Sequence, residues 1–218
     1  ALSNNSVCYT ERPDIGIFMR EWLSLYESKS GERGIFNRTA AKNLAPERRD
    51  TDHEFGCNPC SEVILRSCGL CNLSEVVLRP TDTLDIIKKK IEHATILGTY
   101  QSTLTDFRYV RPVWKRNSEE ERLLGVSFTG VFDCQEIFFA SQETLRDLRD
   151  YAVAVNKKWA AKLGVSQSVA VTCVKPSGTV SQLAGVSGSG LHPSYAKHYL
   201  RRVRQDIKDP LNEAMINA

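Results

Sequence analysis

Four of the seven cysteines fall between positions 57 and 71 as two Cys-x-x-Cys pairs, Cys57-Asn58-Pro59-Cys60 and Cys68-Gly69-Leu70-Cys71, with seven residues between the pairs. Thiolates presented on such paired turns can close a tetrahedral zinc site, and buried thiols packing as small hydrophobes are the plainer alternative. The intervening Val63, Ile64 and Leu65 read as an apolar strand rather than the polar knuckle of a small zinc module. Pro59 fixes its own φ and lacks an amide donor, so Asn58-Pro59-Cys60 favours an extended segment or a turn over a helix. In an extended segment residues two apart share a face, which brings Asn58, Cys60 and Glu62 to one small volume. A sulfur able to form a radical or a thiolate, a carboxylate able to accept a hydroxyl proton and an amide able to hold a second hydroxyl make a useful set. A zinc site has no use for Asn58 or Glu62.

A second chemical feature lies in the stretch from Lys175 to Gly190, dense in Pro, Ser, Gly and Thr. Lys175-Pro176-Ser177-Gly178-Thr179-Val180-Ser181 follows a predicted strand and precedes a possible helix at Gln182 to Ala184. Free amides at a strand-to-helix junction attract anions, and Gly178 lets the backbone approach closely, so Ser177, Gly178, Thr179, Val180 and Ser181 can form an anion site. The Gly-Lys-Ser/Thr of a Walker A loop is absent. The same residue types also mark ordinary turns. Other signals are weaker. His192 and His198 give little support for a shared metal, Arg201, Arg202 and Arg204 read as a solvated helix face, and Trp22, Trp114 and Trp159 as packing residues.

The elements that must position these residues follow from periodicity. Ile17, Phe18, Trp22, Leu23, Leu25 and Tyr26 recur at helical spacing from Gly16 to Ser28, until Gly31 and Gly34 break the pattern. Ile35 and Phe36 read as the start of a strand, and Arg38 to Asp52 as a charged loop with no core. Val76 to Leu78 suggests a strand ended by Pro80. Asp82 or Thr83 then caps a helix through Tyr100, with Leu84, Ile87, Ile91, Ala94 and Ile96 as its buried stripe. Leu123 to Val131, with Gly125, Ser127 and Gly130, resembles a buried strand passing close to another backbone. A helix from about Gln142 to Leu163 ends at Gly164, and the β-branched run Val169 to Val174 is a buried strand. Strands alternate with long helices, so the expected fold class is α/β with mainly parallel strands.

The chain has 218 residues, 41% of them hydrophobic and 25% charged, with a formal net charge of +3. That suffices for a real core, and no apolar run is long enough for a membrane span. The basic residues are scattered, so neither a nucleic-acid polymer nor a membrane is an expected partner. Seven cysteines do not make a secreted disulfide scaffold, and the start lacks a signal peptide, which favours the cytoplasm. The sequence starts at Ala1 and stops within an amphipathic helix, Pro210 to Ala218, carrying Leu211, Met215 and Ile216. It reads as an excerpt of a longer protein.

Asn58-Pro59-Cys60-Ser61-Glu62, followed by Cys71-Asn72-Leu73, resembles the finger loop of ribonucleotide reductases, specifically the adenosylcobalamin-dependent class II enzymes of the monomeric ribonucleoside-triphosphate reductase type. Ser3-Asn4-Asn5-Ser6-Val7, Gly125 to Gly130 and the Lys175 to Gly190 loop fall in the order this family has, so the resemblance spans nearly the whole chain. It implies that residues 1–218 are part of the family's ten-stranded α/β barrel, with a finger loop at about 56–72 and a substrate-phosphate loop at about 175–190. Cys60 would then be the thiyl radical site, started by adenosylcobalamin, that abstracts the 3′ hydrogen of the ribose. Glu62 would take the 3′ hydroxyl proton, Asn58 would hold the sugar hydroxyls, and Cys71 would be one of the cysteine pair that reduces the intermediate, its partner lying outside this sequence. Cys8 does not match that partner, and Cys57 and Cys68 match no family motif. The implied activity is reduction of ribonucleotides to 2′-deoxyribonucleotides for DNA synthesis. Thioredoxin or a similar reductant and nucleotide effectors would be partners. By the resemblance the effector site precedes Ala1, most cobalamin-binding segments follow Ala218, and the excerpt does not work alone. The different reading is a non-catalytic domain with zinc held by Cys57, Cys60, Cys68 and Cys71.

Overall fold

A computed structural model describes residues 5–29, 33–200 and 206–217. Ser3, Asn4, Gly31 and the arginines at 201, 202 and 204 lie outside the described residues. The first strand, β1 (Asn5–Tyr9), pairs in parallel with β2 (Arg33–Asn37), and helix α1 (Ile15–Ser28) makes the crossover between them. Asp14 starts that helix by accepting from the Gly16 amide at 2.8 Å and from the Ile17 amide at 3.3 Å, which satisfies two of the first-turn donors. The helical spacing read from Gly16 onward is therefore real, yet no residue of α1 is buried. Trp22, expected to serve packing, is exposed and meets only the Phe18 ring among the described aromatic side chains, at 6.2 Å between ring centroids.

The segment from Arg38 to Asp52 departs from the sequence expectation. It holds a short helix, α2 (Arg38–Asn43), capped by Asn37, and it contributes to the interior through Ala41 and Arg49. Arg49 donates to Glu121 Oε1 at 2.8 Å and to the Ile64 carbonyl at 2.9 Å, and its guanidinium lies 4.5 Å from the centroid of the Phe55 ring. Charge patterning reads such a residue as solvated; here a carboxylate, a carbonyl and an aromatic face replace water. Removing one partner leaves the other charge stranded in the interior. Arg49→Met is expected to cost about 3–5 kcal/mol of stability, measured by urea unfolding of the full-length protein, with Arg49→Lys costing less.

The larger parallel pair is β5 (Cys71–Val77) with β6 (Leu123–Thr129), in the register Cys71 opposite Leu123 and Leu73 opposite Gly125. Two helices form the crossover. The first, α3 (Leu84–Gln101), is capped by Thr83 as its sequence indicates, and the second, α4 (Pro112–Glu121), has Pro at its first turn. The buried stripe of α3 is Ile87, Ile91, Ala94, Thr95, Gly98 and Thr99, while Leu84 sits at 36% exposure. Helix α6 (Gln142–Leu163), following the short α5 (Gln135–Phe138), ends on Gly164 in the left-handed conformation at φ +68°. It packs with α3 on one face of the sheet, where Val76, Leu124, Val126, Ile87, Ile91, Leu148 and Ala152 form the main core.

Because side chains alternate along a strand, the odd-numbered residues of β5 and β6 face the other way. There Cys71, Leu73 and Leu123 meet Val63, Leu65, Val169 and Cys173 in a second cluster. The predicted strand Val169 to Val174 runs along the free edge of β6: the Leu124 amide donates to the Ala170 carbonyl at 3.0 Å and the Cys173 amide to the Val126 carbonyl at 3.1 Å. Its one ladder pairing is the isolated parallel bridge of Thr172 with Val126, so the run is an extended segment and not the expected buried strand, and Val174 at its end is exposed. Gly125 marks a close approach, though to side chains rather than to another backbone. A Cβ there would run into Leu73 and come within 2.9 Å of Cys173 Sγ. Two short helices follow, α7 (Thr179–Leu183) and α8 (Pro210–Ile216), and Leu211, Met215 and Ile216 of α8 are exposed. Among the described residues no helix is long and apolar enough to cross a membrane.

Candidate active site

The finger region is an antiparallel hairpin of β3 (Phe55–Cys57) and β4 (Ile64–Arg66), joined by residues 58–63. Its base is anchored by charged groups. Arg38 donates to the Phe55 carbonyl at 2.7 Å, and Arg66 reaches Glu120 at 2.5 Å and the Asn117 carbonyl at 3.2 Å. Asn117 in turn donates to the Ser67 carbonyl at 2.9 Å. The hairpin is thus pinned to α4 and carries its tip out over the second hydrophobic cluster.

The tip is a turn, not the extended segment on which the shared face of Asn58, Cys60 and Glu62 was reasoned. The Ser61 amide donates to the Asn58 carbonyl at 2.9 Å, with Pro59 and Cys60 as the two central residues, and Ser61 takes φ +62°. Pro59 suits the first central position because its φ is preset for a turn. Asn58 folds its side chain back, so that Oδ1 accepts from the Val63 amide at 2.9 Å. Cys60 is exposed at the turn, whereas the Glu62 side chain is only 1% exposed. The turn therefore places an accessible sulfur above a buried carboxylate, with Asn58 as the loop's internal brace.

Glu62 Oε1 accepts from Lys175 Nζ at 3.2 Å, while Oε2 is buried and has no hydrogen-bond partner among the described residues. Lys175, read from the sequence only as the start of the phosphate loop, is brought to the finger by the extended segment bridged to β6. Burial disfavours its charged form, but the hydrogen bond to Glu62 and the nearby Glu62, Cys60 and Cys173 outweigh that and raise its pKa. The Cys71 thiol is pushed up by burial first and by the Glu62 charge second, with Lys175 pulling the other way. Cys173 is pushed up to about 12 by the same burial and by Glu62 and Cys71. Both thiols thus hold their protons at neutral pH and retain a hydrogen to donate. Iodoacetamide at pH 8 is accordingly expected to alkylate Cys60 well before Cys173 in the full-length protein, read by peptide mass spectrometry, since the thiolate is the nucleophile.

Cys173 was not singled out from the sequence, nor was its neighbourhood with Cys71. An alternation signal was available, since positions 169, 173 and 175 share one face of an extended run. Cys71 and Cys173 lie on opposite sides of β6, Cys71 level with Leu123 and Cys173 hydrogen-bonded to Val126. Both are free thiols and not a bonded pair in this fold.

The four cysteines of the two Cys-x-x-Cys pairs do not come together. Cys57 Sγ lies 3.4 Å from Ser61 Oγ, and Cys68 Sγ accepts from Arg111 at 3.2 Å. Among the described residues no three His, Cys, Asp or Glu side chains are grouped as a metal site.

The serine and glycine loop is organised around α7. Gly178 is the residue before the helix and makes no side-chain cap, and open space surrounds the position of its missing Cβ. Ser181 Oγ donates to the Gly178 carbonyl at 2.7 Å, and Ser177 Oγ to Glu75 Oε2 at 2.8 Å, so both hydroxyls are engaged within the protein. Val180 is exposed. What the loop offers an anion is its backbone at Gly178, Thr179 and Val180. The end of the loop is tied to the sheet where the Gly190 amide donates to Thr129 Oγ1 at 3.0 Å.

No family model matches the chain. Against individual proteins the similarity is extensive. It is 29% identical over 218 residues to the adenosylcobalamin-dependent ribonucleoside-triphosphate reductase of Lactobacillus helveticus, covering 85% of this chain and 29% of that protein. It is 30% identical to the enzyme of that name from Levilactobacillus brevis, again over 85% of this chain and 29% of the other. For the Euglena gracilis enzyme it is 32% identical, over 81% of this chain and 24% of the other. A solved B12-dependent class II ribonucleotide reductase superposes with a TM-score of 0.61 at 24% identity, covering 86% of this chain and 30% of that one. The chain therefore spans less than a third of the length of these relatives. In sequence the chain is thus similar, over most of its length, to part of the adenosylcobalamin-dependent ribonucleoside-triphosphate reductases, and its α/β fold resembles part of the class II ribonucleotide reductase structure.

Proposed function

We propose that this segment carries the reacting centre of a ribonucleoside-triphosphate reductase, which converts ribonucleotides to 2′-deoxyribonucleotides for DNA synthesis by a cysteine thiyl radical. The observation that carries the reading is the pairing of an exposed Cys60 with a buried Glu62 that keeps one carboxylate oxygen unpartnered. Adenosylcobalamin is the cofactor of the similar enzymes, and Cys60 fits it: a sulfur at an exposed turn is open to a bulky partner, where one as buried as Glu62 is not. When bound, the cofactor supplies a carbon-centred radical by homolysis of its cobalt–carbon bond.

Cys60 as a thiyl radical takes the 3′ hydrogen of the ribose and later returns it, a reversible exchange because the two hydrogens are held with comparable strength. Glu62 Oε2 accepts the 3′ hydroxyl proton, which favours loss of the 2′ hydroxyl. Asn58 Oδ1 is spent on the Val63 amide, leaving Nδ2 to donate to a sugar oxygen. Cys71 supplies reducing hydrogen from a thiol that burial keeps protonated. Its disulfide partner is not Cys173, for the reason of strand order, and we assign it to a cysteine upstream of the sequence. Gly178, Thr179 and Val180 hold the substrate phosphate through their backbone, beside Ser177 and Ser181. Thioredoxin or a similar dithiol protein regenerates the reduced cysteines, and nucleotide effectors act elsewhere in the whole enzyme. The cysteines are free thiols, which suits a reducing cytoplasm.

The test uses the full-length protein with a ribonucleoside triphosphate, dithiothreitol and adenosylcobalamin. Deoxynucleotide formation that requires the cobalamin supports the reading. No product under those conditions, with bound stoichiometric zinc, would favour the structural alternative.

A further inference from the structure

We propose that Lys175 is a positioning residue for Glu62: its ammonium takes up carboxylate oxygen Oε1 and so assigns Oε2 as the oxygen that receives the ribose hydroxyl proton. This rests on the reading of Glu62 as the proton acceptor and adds the group that decides which of its two oxygens acts.

Glu62 is a buried carboxylate. An ionised carboxylate offers about four lone-pair positions, and buried ones are normally filled by donors. At Glu62 the side chain is 1% exposed, and the filled and unfilled positions are separated cleanly by atom. Oε1 has Lys175 Nζ at 3.2 Å; Oε2 has no donor among the described residues. A carboxylate that turned freely about its last bond would present either oxygen to a ligand. One held through Oε1 presents only Oε2, and a proton acceptor must lie within hydrogen-bond reach in a defined direction to be effective.

Lys175 is suited to the task by where it comes from. It is 113 residues beyond Glu62 in sequence and lies outside the finger hairpin. The chain just before it is hydrogen-bonded to β6 through Cys173, and Pro176 just after it has a fixed φ, which limits how far the lysine backbone shifts. The other titratable neighbours of the pair, Cys60, Cys71 and Cys173, bring sulfur and not a second cation. A competing role is contact with the substrate phosphate, since Lys175 opens the phosphate loop and Ser177 follows two residues later. The ammonium is directed to Glu62 instead, with 24% of its side chain exposed. The proton step balances without consuming Lys175: the ribose O–H bond breaks, an Oε2–H bond forms, and the ammonium keeps its three protons.

The test is steady-state kinetics of the full-length holoenzyme. Lys175→Met is expected to lower kcat about 10- to 100-fold while KM stays within about threefold, the signature of lost orientation rather than lost binding. Lys175→Arg, which keeps a donor and a charge, is expected to recover most of that loss. In Lys175→Ala, ethylammonium chloride is expected to raise kcat by about tenfold or more, where potassium chloride at equal ionic strength does not. Nucleotide binding by equilibrium dialysis reports folding in each variant. A Lys175→Met kcat within about twofold of the unsubstituted enzyme, or a loss carried by KM alone, would overturn the proposal and in the second case identify a substrate contact. An unsubstituted enzyme that makes no deoxynucleotide would overturn the functional reading itself, whereas normal turnover with an indifferent Lys175 sinks only the positioning role.

Discussion

Cys60→Ser in the full-length enzyme is expected to abolish ribonucleotide reduction while nucleotide binding stays within about twofold. The substitution changes one atom at an exposed turn whose fold is set elsewhere. The Ser61 amide to Asn58 carbonyl bond and the Asn58 Oδ1 to Val63 amide bond hold the loop, and neither involves the cysteine sulfur. Stability should therefore move little, as is usual for exposed sites. Chemistry changes entirely, because a serine O–H bond is far stronger than a thiol S–H bond and its hydrogen cannot be exchanged reversibly with a sugar hydrogen. Product chromatography and equilibrium dialysis separate the two effects. Retained turnover in the variant would remove the radical role from Cys60.

Glu62→Gln should be nearly as damaging to turnover. It keeps shape and volume but replaces the carboxylate proposed as the proton acceptor with an amide, a change expected to lower kcat by about 10²- to 10⁴-fold. It carries a second signature that does not depend on turnover. The Glu62 charge is among the causes that raise both Cys71 and Cys173. Taking it away lowers both thiol pKa values toward what burial alone imposes, so more thiolate is present at a given pH. Alkylation of Cys173 at pH 9 should become faster in Glu62→Gln than in the parent protein. An unchanged or slower rate would mean that the carboxylate does not act on that thiol.

The elements that position this chemistry were legible wherever local signals suffice. Helix α3 announced itself by its cap at Thr83 and its apolar stripe, and α6 by Gly164. Strand β6 was visible as an apolar run with small residues where Leu73 and Cys173 crowd Gly125. Helix α4 was missed because it is polar and begins at Pro112 without a side-chain cap. The interior role of Arg49 was hidden because its partners, Glu121 and the Ile64 carbonyl, are far away or on the backbone. At the site, residue types were readable but geometry was not. Asn58, Cys60 and Glu62 were identified by spacing and resemblance, yet they are separated by a turn into a brace, an exposed sulfur and a buried carboxylate. Lys175 reaches Glu62 only through the extended segment bridged to β6, a relation that no local pattern carries. Helices α1 and α8 show the same limit in reverse, since most of their apolar residues, Trp22, Leu23, Leu211 and Met215 among them, are exposed.

The claim on which everything else depends is that Cys60 sulfur removes the ribose 3′ hydrogen. The direct measurement is the isotope effect on kcat/KM with a 3′-deuterated ribonucleoside triphosphate, run on the full-length enzyme with adenosylcobalamin. A normal effect clearly above unity is expected, together with no 3′ exchange at all in Cys60→Ser. An isotope effect of unity accompanied by undiminished 3′ exchange in Cys60→Ser would contradict it.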